Sequence, residues 1–302
     1  MTDTFPLLAL EDGDLRAVFA PTLGGRMLSL RSGDEEFLWQ NPALIGPDLQ
    51  PAVPVATWPR GDRGMATWAN VGGSKTWPAP QGWTADDEWA GPPDGVLDAG
   101  PWSVEDLSAT AVVLRSAADP RTGLRIERAF ALLGGGRIDE RIRFENTGTT
   151  TTRWAPWEVC QVRTDDGGTV LVEEATAEDE LDLGSWEGTL PTVQTPRGVE
   201  LPVGTGVAKR GYRAGTAVGY RRASGTTIRL AAAEEQVDEN APFPDGGCRF
   251  EVWSQRPVAE PIVTLEGLRP DAHLVELEVL GRRVPLAPGG SRVTRIAWHV
   301  RR

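Results

Sequence analysis

Hydrophobic and polar residues alternate along much of the chain in short runs. LRAVFA from Leu15, RMLSLR from Arg26 and EEFLWQN from Glu35 come first, separated by Gly or Asp. A period of two sends successive side chains to opposite faces, which predicts strands of an antiparallel meander. From Trp102 the pattern resumes as TAVVLRS, LRIERAFALL, RIDERIRFEN, TRWAPWEVCQV and TVLVEE. It continues as AVGYRR, TTIRLAAAEE, CRFEVWSQ, HLVELEVLG and RVTRIAWHV. RIDERIRFEN puts Ile138, Ile142 and Phe144 on one face and Arg137, Asp139, Arg141 and Arg143 on the other, so one face is buried and one is wet. Helical periodicity is nearly absent, and 35 Gly and 24 Pro supply the turns between runs. The pattern predicts an all-β chain of about fifteen strands, a large antiparallel sandwich, most simply one domain over 1–302.

Between Asn41 and Pro101 the alternation gives way to Pro, Gly, Trp and Asp. A stretch of that length without a period is usually functional or disordered, and its tryptophans argue against disorder, so it is expected to cover a site. At its centre, NVGGSKTWPAPQGW (70–83) reads as a shaped loop. Gly72 and Gly73 allow close backbone approach or positive φ, while Pro78 and Pro80 bar a helix and an inner strand. Lys75, the amides of Asn70 and Gln81, and the indoles of Trp77 and Trp83 stand together there. That mixture suits a ligand polar at its edges and apolar on its faces, as a pyranose is. A rigid aromatic plug at the end of the sandwich is the alternative.

Charge narrows the partners. A formal net charge of −12 repels phosphate backbones and anionic lipid, which disfavours nucleic acid and membrane surfaces. MTDTFPLLALEDGD has no basic leader-like start and no run reaches the length of a membrane span, so the cytoplasm is expected. Cys160 and Cys248, far apart and without a CxxC pattern, read as buried thiols. Six of the twelve tryptophans fall between Trp58 and Trp102, gathered in one region and not spread over a core. Asp86, Asp87 and Glu88 read as a solvated acidic turn, because nothing beside them completes a metal shell. GxSxG, P-loop, GxGxxG and HExxH patterns are all missing. His273 and His299 are the only histidines, so a histidine metal cage is nearly excluded.

Three strands carry polar groups that a plain sandwich does not require. In HLVELEVLG, Val275, Leu277 and Val279 share one face and Glu276 and Glu278 the other. On a desolvated face their repulsion would leave a proton carrier near neutral pH; on a wet face they are a charged strand surface. CRFEVWSQ aligns Arg249, Glu251 and Trp253, a guanidinium, a carboxylate and an aromatic plate that suit a sugar as well as they suit a surface salt bridge. TRWAPWEVCQV sets Trp154, Glu158 and Cys160 on one side and Trp157 and Val159 on the other, and apolar surroundings would keep Glu158 protonated. In PTLGGR (21–26), Arg26 either caps a tight turn or points into a site.

PTLGGRMLSLR, FLWQNP, NVGGSKTWPAPQGW, the strand with WEVCQV and finally VELEVLGRRVPLAPGGS occur in an order that resembles the galactose mutarotase-like superfamily over nearly the whole chain. The resemblance implies a β-supersandwich with a sugar on a concave sheet, and aldose 1-epimerisation as the best-known reaction. In that reaction a carboxylate takes the anomeric hydroxyl proton while an acid protonates the ring oxygen. The base position matches Glu276 or Glu278. The two histidines expected of true mutarotases are replaced, one loop offering Lys75 and one strand Trp157 and Glu158. Lys75 and Glu158 are therefore the candidate acids. Arg26, Asn70, Gln81, Arg249 and Glu251 are candidate binders, and Trp77, Trp83 and Trp253 candidate platforms. The implied reaction needs no metal or organic cofactor, and its partner is a small carbohydrate. Two other readings stay open: a sugar-binding or sensor protein that lost the proton relay, and a lyase or isomerase on the same scaffold.

Overall fold

The computed structural model describes residues 4–59, 64–164, 167–204, 206–233 and 240–302. Among these residues, twenty strands form two ten-stranded antiparallel sheets, with short 3-10 turns and no α-helix. The first sheet runs Leu8–Asp12, Leu15–Ala20, Arg26–Ser32, Ser74–Ala79, Ala155–Arg163, Leu274–Leu280, Phe250–Gln255, Gly206–Tyr212 and Glu180–Gly188, with Glu35–Glu36 paired beside Arg26–Ser32. Strands distant in sequence thus lie side by side at its centre.

The second sheet covers one face of the first. Val275, Leu277 and Val279 are buried in one continuous core with Ile138, Ile142 and Phe144, as the alternation in both runs predicts. An ionic cluster sits within that core. Arg128, fully buried, bonds Glu140 at 2.8 Å and Glu158 at 3.0 Å, and donates to the Ser74 carbonyl at 3.0 Å. Such groups persist in a dry interior only when each lone pair and proton is met. Here Thr76 and Ser74 hydroxyls donate to Glu158, and the Trp298 indole donates to Glu140.

The stretch that reads as a loop at 70–83 contains an inner strand, Ser74–Ala79, with all six residues buried. The prolines are tolerated because of where they fall. Pro78 faces Pro156 across the pair, a position where neither nitrogen need donate to the other strand. On the other edge the strand meets Arg26–Ser32 only at Ser74, so the hydrogen that Pro78 lacks has no ladder partner to miss. The glycines act as the sequence suggests. Gly72 and Gly73 adopt φ of 96° and 80°, and a Cβ on either would run into the Trp39 or Met27 carbonyl. Upstream, Leu44, Ile45 and Trp58 pack against Ala20, Leu28 and Val71. Both cysteines are free and buried. Among the described residues no helix is long and apolar enough to cross a membrane.

Candidate functional site

Five adjacent strands of the first sheet turn one set of side chains away from the second sheet. Register sets the arrangement. Lys75 lies opposite Val159 and Trp77 opposite Trp157. Val159 lies opposite Glu278 and Gln161 opposite Glu276. Glu278 then faces Glu251, Glu276 faces Trp253, and Trp253 faces Lys209. Because residues paired across a sheet share a face, charges and indoles converge there.

These side chains floor a cavity of about 340 Å³. Six indoles line it: Trp68, Trp77, Trp83, Trp157, Trp186 and Trp253. Glu276, Glu278, Asp245 and Lys209 are its charged lining, and Gln81, Gln255 and Leu265 belong to its rim and walls. The indoles are held by hydrogen bonds. Asp98 accepts from Trp68 at 2.9 Å and Trp77 at 3.3 Å, the Trp253 indole donates to Gln255 at 3.1 Å, and the Trp83 indole donates to the Ala90 carbonyl at 2.8 Å.

The two carboxylates of the Leu274–Leu280 strand occupy different environments. Glu276 Oε1 accepts from Gln161 at 2.6 Å and lies 3.5 Å from the Lys75 ammonium; its side chain keeps 12% exposure toward the cavity. Glu278 is fully buried. Its Oε2 accepts from the Trp157 indole at 2.6 Å and lies 3.0 Å from Lys209 Nζ, while its Oε1 has no hydrogen-bond partner. Lys209 also pairs with Glu251 at 2.5 Å and rests 4.6 Å from the Trp157 ring centre. Burial raises the pKa of Glu278, opposed by Lys209 and reinforced by Glu276. Burial also raises those of Glu251 and Asp245. Burial alone would lower the Lys209 pKa, but Glu251 and Glu278 outweigh it and hold Lys209 protonated.

Residues singled out from the sequence divide accordingly. Glu276, Glu278, Trp77, Gln81, Trp83 and Trp253 line the cavity. Lys75 and Glu251 stand on the same face one layer behind the lining, Lys75 against Glu276 and the Trp68 and Trp77 rings, Glu251 against Lys209. Burial brings the Lys75 pKa from 10.5 to about 8, with Glu276 opposing.

Four candidates lie elsewhere. Glu158 points the opposite way, into the ionic cluster with Arg128, so apolar burial does not make it a site acid. Arg26 is 1% exposed and spends its guanidinium on the Leu23 and Gly72 carbonyls and on Asp98, which it fixes beneath the indoles. Asn70 folds onto its own loop, accepting from Gly72 and Asn41. Arg249 precedes the strand it was read with and turns to the Gly215 and Ala232 carbonyls.

Lys209, Gln161, Asp245, Trp68, Trp157 and Trp186 complete the arrangement. GVAKRGY carries a signal for Lys209, a lone ammonium at an alternate position of an otherwise small and apolar strand. Neither histidine lines the cavity, and His299 lies on the second sheet beside Arg301.

No protein-family model matches the chain, and no curated protein matches it. Solved structures do. A putative aldose 1-epimerase from Escherichia coli K12 is 14% identical with a TM-score of 0.63, covering 98% of this chain and 99% of its own. A galactose mutarotase-like protein from Lactobacillus casei is 13% identical with a TM-score of 0.57, covering 98% and 100%. A GalM/aldose epimerase homologue from C. elegans is 11% identical with a TM-score of 0.56, covering 98% and 99%. The likeness read from the order of sequence motifs thus holds in three dimensions, and the chain has the two-sheet β-sandwich fold of the galactose mutarotase-like proteins.

Proposed function

We propose that this protein handles carbohydrate and that its reaction is aldose 1-epimerisation, with Glu276 as the base. The observation that carries this reading is the convergence of Glu276, Lys209 and six indoles on one cavity of the mutarotase-like fold. Indoles offer apolar plates to the faces of a pyranose, and the carboxylates and amides accept from its hydroxyls.

Glu276 suits the base role because one oxygen is oriented by Gln161 and Lys75 while the side chain still reaches the cavity. It would take the proton of the anomeric hydroxyl as the bond from C1 to the ring oxygen breaks and the carbonyl forms. Lys209, kept charged by Glu251 and Glu278, would stabilise the departing ring oxygen and pass it a proton, replaced by one from the Glu251 carboxyl whose pKa burial raises, and the reverse steps return both protons. Rotation about the C1–C2 bond and the reverse steps then give the other anomer. We place the protein in the cytoplasm, in keeping with its two unpaired thiols.

Exchange NMR with a panel of aldoses tests the reaction. Faster anomer interconversion with at least one sugar is expected, and unchanged rates with every sugar would remove the enzyme reading. A second reading, a sugar binder without turnover, is favoured by one observation: the cavity lining contains no histidine. Binding by calorimetry without rate enhancement would select it.

A further inference from the structure

Carboxyl groups outnumber ammonium groups around the cavity, and burial, which raises the Glu251 and Glu278 pKa values and favours their neutral forms, offsets part of that excess. Glu276 has Lys75 as its counter-ion. On the other side, Lys209 alone serves three carboxylates, since Glu251 and Glu278 pair with it and Asp245 adds to its field. Among the described residues Asp245 has no ion pair, although it lines the cavity; its side-chain hydrogen-bond partner is another carboxyl group, Glu251. Arg283, the other cation whose field reaches it, pairs with Asp87.

Beside Lys209, hydrogen-bonding capacity is unbalanced in the same sense, whereas the unmet donor, Lys75 Nζ, lies on the Glu276 side. Glu278 Oε1, a residue of the cavity lining, is a buried acceptor without a donor. A ligand that completes this side must bring donors and positive charge, whereas a phosphate or carboxylate brings acceptors and negative charge. Indole faces favour the same sign, because their quadrupole attracts cations.

Resting on the carbohydrate reading above, we propose that the preferred ligand is a sugar bearing an ammonium group, an amino sugar, with its ammonium paired to Asp245. Glu278 supplies the neighbouring acceptor, the indoles take the ring faces, and an anionic sugar such as a hexose phosphate is rejected by the surplus carboxylates.

Calorimetric titration at pH 7 with 2-amino-2-deoxyglucose, 2-amino-2-deoxygalactose and 6-amino-6-deoxyglucose tests this. Each is compared with its parent hexose, which keeps the size and removes the charge, and with its N-acetyl form, which removes the charge and adds bulk. At least one amino sugar is expected to bind about tenfold or more tighter than both controls, as a newly formed partly buried ion pair allows. In Asp245→Asn the ratio between amino sugar and parent hexose should fall to about one, a ratio that a general loss of folding would not change selectively. Hexoses binding as tightly as every amino sugar, or a ratio undiminished in Asp245→Asn, would overturn the inference and leave the carbohydrate reading standing. Binding of no sugar at all would remove both.

Discussion

Replacing Lys75 with methionine should stabilise the protein, although it deletes half of an ion pair. Lys75 is 1% exposed, and burial brings its pKa from 10.5 to about 8. At about 1.4 kcal/mol per pH unit, that depression costs the folded state about 3 kcal/mol at neutral pH. The sign follows from proton binding. Below about pH 8 both folded and unfolded chains hold the proton and the full penalty applies. Between about 8 and 10.5 the unfolded chain holds more protons, so the folded state gains ground as pH rises, and above 10.5 the penalty is gone.

The opposing effect is the loss of a counter-ion for Glu276. That loss is already contained in the net figure, because the attraction of Glu276 is one of the influences that set the Lys75 pKa, and Glu276 keeps its 2.6 Å bond from Gln161. Methionine has a similar volume and fits between the Trp68 and Trp77 rings, where sulfur contacts are favourable. Lys75→Met is therefore expected to gain about 2 kcal/mol in urea denaturation at pH 7, and the gain should shrink toward zero by about pH 10.5. Loss of about 1 kcal/mol or more at pH 7, or a difference that does not vary with pH, would refute this reasoning.

Other substitutions probe the remaining parts of the account. Glu276→Gln keeps the shape and the Gln161 contact but removes the base, so anomer exchange should fall by about 10²–10⁴-fold in NMR line-shape measurements while calorimetry still detects the sugar. Arg128→Met leaves Glu140 and Glu158 without their cation between the sheets and should cost about 3–5 kcal/mol in chemical denaturation. Gly72→Ala places a methyl group on the Trp39 carbonyl at a φ of 96° and should cost about 1–3 kcal/mol, with a matching fall in melting temperature.

The fold was legible because strand alternation is local. Ile138, Ile142 and Phe144 announce a buried face whatever lies beyond it, and the runs containing Glu276 and Trp253 do the same. What a strand does not announce is which of its faces looks at a cavity. Glu158 and Glu276 both sit among apolar residues in sequence, yet one faces Arg128 between the sheets and the other faces Lys75 and the cavity. Their fates are decided by neighbours on other strands, Arg128 thirty residues from Glu158 and Gln161 more than a hundred from Glu276.

Arg26 and Arg249 show the same gap. A guanidinium in a glycine turn or before a strand looks available until backbone carbonyls distant in sequence consume its donors. The Ser74–Ala79 strand escaped for a different reason. Proline forbids an inner ladder only where the partner strand is present, and the Arg26–Ser32 strand meets it at one position.

A crystal structure grown with an aldose or amino sugar that binds in solution decides whether this cavity is the sugar site. The account predicts the sugar ring among the indoles, its anomeric hydroxyl within hydrogen-bond distance of Glu276 and its ring oxygen toward Lys209. A sugar seated elsewhere on the molecule, with this cavity filled by ordered water alone, would contradict it.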